Sequence, residues 1–125
     1  MNLAGLLKKE NIFIGSGFEN TESFYSSYAL FLKERGIINN AQVVKRLFIK
    51  RENVHSTAIG KGTAAPHVFS DAVPDFIFSV ALLKEPLEFK APDGNGVHFV
   101  FFLMSGERDV GKHLKALKRI SELVK

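Results

Sequence analysis

One stretch of this chain gathers the residue types that chemistry needs: Gly60-Lys61-Gly62-Thr63-Ala64-Ala65-Pro66-His67. Two glycines let the backbone turn tightly and come close to a ligand. Pro66 fixes its own φ and keeps Ala65 extended, so His67 is presented from a stiff arm ahead of a strand-like run. An imidazole held in that way is a seat for nucleophilic chemistry, because its lone pair needs no further ordering. Spacing alone leaves that reading open, and the other histidines stand beside it.

His55 lies in the polar stretch 51–57, where a solvated, idle imidazole is the ordinary reading. His98 opens an apolar run and reads as a strand-edge residue. His113 follows Gly111-Lys112 near the start of the last helical pattern, a place where free N–H groups and the helix dipole favour an anion. Competing chemistries lack their signatures. The phosphate-loop order G-x-x-x-x-G-K-[ST] is broken because Gly62 follows Lys61. Gly15-Ser16-Gly17 lacks a third glycine and reads as a turn. No His pair at i, i+4 encloses a Glu, and no Ser sits in a nucleophile-elbow sequence. The absence of Cys removes disulfides, thiolate metal sites and a Cys nucleophile. The sequence therefore calls for neither a metal nor a cofactor.

The 125 residues suit one domain with a single core, and 46% hydrophobic residues, twelve of them Phe, indicate an ordered chain. No apolar run approaches the ~18 residues of a membrane-spanning helix, and the N-terminus lacks the order of a secretory signal, so a cytoplasmic protein with no membrane insertion is expected. The net charge of +4 is spread over small clusters such as Lys45-Arg46, Lys50-Arg51 and Lys115-Lys118-Arg119. Those read as solvated helix faces or as a patch for an acidic protein, not as a nucleic-acid surface.

Stepping along the chain, Leu3, Leu6 and Leu7 predict a short first helix, and Asn11 to Ile14 a strand closed by Gly15-Ser16-Gly17. Thr21-Glu22-Ser23 opens a helix carrying Phe24, Tyr25, Tyr28, Phe31 and Leu32, ended by Arg35-Gly36. Asn39 or Asn40 caps the next helix, with Val43, Val44, Leu47 and Phe48 on one face. Glu52 to Thr63 reads as a loop. Two nearly continuous apolar runs, 76–83 and 97–104, suit strands buried on both faces. Pro86 and a turn at 91–96 lie between them, and a final helix carries Leu114, Leu117, Ile120 and Val124. Helices alternating with strands give an α/β class, a mixed β-sheet flanked by helices in a single domain spanning 1–125.

The order Lys50-Arg51-Glu52, Ser56-Thr57-Ala58-Ile59-Gly60, Gly62-Thr63-Ala64-Ala65-Pro66-His67 resembles the fructose/mannitol-type enzyme IIA domain of the bacterial phosphoenolpyruvate:sugar phosphotransferase system, including its nitrogen-regulatory branch. Leu6-Leu7 with Asn11-Ile12, Leu32 with Gly36, the run 80–87 with Asp93-Gly94, and His113-Leu114 with Leu117 extend the likeness over nearly the whole chain. The resemblance implies a phosphoryl carrier: His67 would accept a phosphoryl group from the phosphohistidine of an HPr-like carrier and pass it to an enzyme IIB domain. Arg51 would steady the phosphoryl oxygens, His113 would support His67, and Thr63 and Ser56 are weaker candidates for polar contacts. The alternative it implies is a regulatory module whose contact with a target protein is gated by His67 phosphorylation. Transfer between two proteins also needs a shallow site with an apolar rim, of which Val68 and Phe69 would form part. Where the family has bulky aliphatics, this chain has Thr63 and Ala65, so looser packing beneath His67 is expected. The family also continues into a further C-terminal helix, so the resemblance implies a C-terminally short member with core exposed, which a homodimer would cover.

Overall fold

The computed structural model describes residues 5, 7–71 and 76–124. The helix expected around Leu3, Leu6 and Leu7 lies largely outside the described residues. The first strand, β1, is Ile12–Gly15. Helix α1, Thr21–Glu34, starts in a reciprocal box: Ser23 N–H donates to Asn20 Oδ1 at 2.9 Å, and Asn20 N–H reaches Ser23 Oγ. It stops at Arg35, where Gly36 takes the left-handed φ of +74° that ends helices cheaply. Asn40, not Asn39, caps α2, Ala41–Val54, by accepting from Val43 N–H.

The expected loop from Glu52 to Thr63 is a correction. Helix α2 runs on to Val54, and a small antiparallel hairpin follows, β2 (Ala58–Gly60) and β3 (Thr63–Ala64). Strands of two and three residues are too short to display an alternation, so sequence periodicity misses them. The hairpin turn is left-handed at Gly60, Lys61 and Gly62, and Lys61 N–H donates to Asp93 Oδ2 at 2.8 Å. That bond steadies a positive φ at a residue with a side chain, and it explains Asp93-Gly94 in the sequence.

Strand β4 is His67–Phe69, β5 is Ile77–Leu87, β6 is Val97–Ser105, and helix α3 is Val110–Val124. Strand β5 passes through Pro86 instead of stopping before it. The register against β6 shifts between Leu82 and Leu87, which is where a residue lacking an N–H is tolerated.

The six strands form one mixed sheet in the order β1-β5-β6-β3-β2, with β4 also on β6. β5 and β6 are antiparallel; β1 joins β5 in parallel, and β3 and β4 join β6 in parallel. The far edge of β6 is thus shared: β3 covers Phe99 and Val100, and β4 covers Leu103 to Ser105. One face packs under α1 and α2 around Phe24, Tyr25, Tyr28, Phe48 and Phe102. The other face packs under α3, where Phe78, Val80 and Leu103 meet Ala65, Ala116 and Ile120.

Candidate functional site

The stiff arm read in the sequence is built into the sheet edge. Ala65 N–H donates back to Thr57 O at 2.9 Å, while Pro66 O accepts from Leu103 N–H on β6 at 3.0 Å. Proline has no N–H to lose, so the chain crosses from β3 to β4 with its remaining backbone groups engaged on both sides. His67 emerges from this crossing half-buried.

Its ring is fixed by a local bond. His67 Nδ1 lies 2.9 Å from Ala65 O. A carbonyl can only accept, so Nδ1 carries a proton, and in the neutral ring Nε2 carries the free lone pair. The backbone two residues earlier thus sets which ring nitrogen is engaged and which is left free.

In register, His67 pairs with Leu103 and Phe69 with Ser105. Side chains alternate along a strand, so His67 and Phe69 share the α3 face and Val68 turns to the other. Helix α3 brings His113 onto the same ground from its first turn. The two imidazoles lie with ring centres 5.6 Å apart and planes at 70°, and Phe69 stacks on the His113 ring at 4.0 Å. His113 is fully buried, its Nδ1 is 2.9 Å from Ser105 Oγ, and its Nε2 has no hydrogen-bond partner. Burial first, and then the neighbouring His67, push the pKa of His113 down to about 4. At neutral pH it is an uncharged imidazole.

The remaining candidates are placed differently. Val68 is buried in the core beneath α1 and α2 and cannot form a rim, whereas Phe69 is 44% exposed. Thr63 and Ala65 are both buried, and Ala65 belongs to the cluster that includes Leu103 and Ala116. Ser56 donates to Phe89 O and accepts from Ala58 N–H, which commits its hydroxyl to the entry into β2. Arg51 sits at the end of α2, a helix that packs beside β4, yet its guanidinium donates to His55 O at 2.8 Å. Among the described residues no hydrogen bond joins Arg51 to His67 or His113. His55 and His98 are exposed and lie away from the pair, His55 at the end of α2 and His98 at the start of β6.

Glu52, next to Arg51, does the positioning that the sequence did not single out. Its carboxylate accepts from Thr57 N–H and Thr57 Oγ1, each at 2.7 Å, and from the Tyr25 hydroxyl. It thus pins α1, α2 and the start of β2 together. Burial, with the carboxylate second, raises the Tyr25 pKa well above the usual phenol value, so Tyr25 stays a donor. Among the described residues no group of three His, Asp or Glu could hold a metal ion, and no helix is long and apolar enough to cross a membrane.

A mixed sheet that presents one imidazole from its parallel edge, with a second imidazole buried behind it, defines an α/β paired-histidine domain. More particularly, the chain belongs to the EIIA 2 family of the phosphoenolpyruvate-dependent sugar phosphotransferase system, whose family model matches residues 5–125. Among curated proteins, it is 29% identical over 124 residues, 99% of this chain, to the PTS system fructose-specific EIIABC component of Bacillus subtilis. It is 35% identical over 86 residues, 69% of this chain, to the nitrogen regulatory protein of Bradyrhizobium diazoefficiens. The alignments span 20% of the first relative's length and 56% of the second's. Of solved structures, nitrogen regulatory protein IIA-Ntr from Neisseria meningitidis superposes with a TM-score of 0.83 at 26% identity, covering 94% of this chain and 80% of that one. IIA mannitol in its complex with phosphorylated IIB mannitol, from Escherichia coli, gives 0.73 at 19% identity over 94% and 83% of the chains, a likeness of fold.

Proposed function

We propose that this chain is a phosphoryl carrier with His67 as the carrying residue. The observation that carries the reading is the bond from His67 Nδ1–H to Ala65 O, which leaves Nε2 free of any backbone partner and holds the ring at a sheet edge. The Nε2 lone pair attacks the phosphorus of a donor phosphohistidine on an HPr-like protein. A new N–P bond forms as the donor's N–P bond breaks, and that bond's electron pair returns to the donor imidazole. In the neutral Nδ1–H ring, Nε2 has no proton to lose. Onward transfer reverses the step: an acceptor thiolate on an enzyme IIB domain forms a P–S bond, and the electron pair returns to His67. A transition state of this kind needs position and aimed donors more than covalent help.

Arg51 supplies the fork for the phosphoryl oxygens once it leaves His55 O, an exposed hydrogen bond worth about 1 kcal/mol. His113, neutral at working pH, contributes a donor and no charge. Incubation of the chain with phosphoenolpyruvate, enzyme I and HPr is expected to give an acid-labile, base-stable phosphohistidine. His67→Ala takes up none, and uptake at the parental rate would remove His67 from the role. Arg51→Lys keeps the charge but loses the fork, and transfer should slow with the fold unchanged.

The regulatory reading draws on the likeness to nitrogen regulatory proteins in both sequence and fold. In that reading His67 phosphorylation switches contact with a target protein. Pull-downs with phosphorylated and unmodified chain separate the two: a state-dependent partner outside transport favours regulation, and passage of phosphate to a IIB cysteine favours transport.

A further inference from the structure

The His113 imidazole poses a hydrogen-bond problem that its surroundings answer in only one economical way. Ring and Ser105 hydroxyl are both fully buried, and they are each other's side-chain partner at 2.9 Å. If Nδ1–H donated to Ser105 Oγ, the hydroxyl hydrogen would have no acceptor and Nε2 would be a buried lone pair with no donor. If the hydroxyl donates to Nδ1, one group alone is left over, the Nε2–H. Buried donors without acceptors are the rarest kind of orphan, so the arrangement with one is favoured over the arrangement with an orphaned donor and an orphaned acceptor.

We propose that Ser105 is a positioning residue: its hydroxyl donates to His113 Nδ1 and so fixes His113 as the Nε2–H tautomer, a donor kept in reserve. Phe69, stacked on the ring, holds its plane. The donor lies in a ring 5.6 Å from that of His67, close enough to serve an oxygen of a group carried there. The Nε2–H is then the donor available to an oxygen of a phosphoryl group on His67. This use of the tautomer rests on the carrier reading above; the tautomer itself does not. Ser105 acts through His113 and touches no phosphoryl oxygen.

The test is a long-range proton–nitrogen correlation spectrum of the full chain labelled with nitrogen-15, recorded near neutral pH. In the parent, His113 Nδ1 should resonate as a bare ring nitrogen and Nε2 as a protonated one. Ser105→Ala should mix or reverse the two, and Ser105→Thr, which keeps the hydroxyl on a strand that accepts β-branching, should restore them. Phosphate uptake by Ser105→Ala should fall about fivefold to tenfold, the worth of one hydrogen bond, and recover with Ser105→Thr. A parental His113 protonated on Nδ1 overturns the proposal whatever the uptake assay gives, and so does an Nε2–H tautomer unchanged in Ser105→Ala. If His67 takes no phosphate while His113 keeps its Nε2–H, the carrier reading fails and the positioning role stands.

Discussion

The two faces of the sheet differ in how they are closed. Under α1 and α2, rings pack against rings: Tyr28 stacks on Phe102 with centres 3.5 Å apart, and Phe48 meets Phe102 edge-on at 5.4 Å. The α3 face is closed by one helix, with Ala116 and Ile120 meeting Ala65, Phe78, Val80 and Leu103, and it leaves Ile14 and Phe99 exposed. Every residue of the candidate pair, His67 and His113 with Phe69 and Ser105, belongs to this thinner face. The face packed by rings carries neither imidazole, and both lie at the edge of the single-helix face. The sharpest test of that division is a core truncation. Phe102→Ala removes the ring that Tyr28, Phe24 and Phe48 all touch, and should cost about 3 to 5 kcal/mol in urea unfolding. A loss below about 1 kcal/mol would show that the aromatic face is not where stability resides.

The thinner face has its own signature in pH. An unfolded His113 takes a proton near 6.5, whereas the folded one does not until about 4. Between those values the unfolded chain binds more protons, so stability falls as the pH falls from 6.5 towards 4, and above 6.5 the effect vanishes. Its full size is about 3 kcal/mol at most. Carboxylates titrate in the same range, so the measurement is the difference in slope between the parent and His113→Gln. Equal slopes would mean that the imidazole is already wetted.

Much of this division could be read from residue order. Thr21-Glu22-Ser23, Arg35-Gly36, and the runs at 76–83 and 97–104 declare their elements through caps and period, and Pro66-His67 declares the arm. Val68 was within reach as well, since alternation along β4 sends it away from its two neighbours. Ser105 was not. It reads as the start of a polar link, and only the register that sets it opposite Phe69, with α3 folded back above, brings it to His113. Arg51 and Glu52 show the converse: adjacent in sequence, they part at the helix end, the carboxylate into a three-way bond and the guanidinium to His55 O. Glu52→Gln keeps the shape but replaces one accepting oxygen with an NH2. It should lower stability by about 2 kcal/mol, read from the urea midpoint, as suits lost bonds to a charged acceptor.

The smallest effect probes the aromatic face from within. The Tyr28 hydroxyl is buried, burial pushes its pKa far above the ordinary phenol value, and it has no hydrogen-bond partner at proper distance. Ser79, whose hydroxyl donates to Asn11 O at 2.8 Å, offsets that rise only in part. A buried donor without an acceptor opposes folding, while the Tyr28 ring, stacked on Phe102, favours it. Tyr28→Phe keeps the ring and deletes the orphan, so it should be neutral or stabilise by up to about 1 kcal/mol. A clear destabilisation would mean that the hydroxyl has found a partner in solution, and that the aromatic face holds a polar bond of its own.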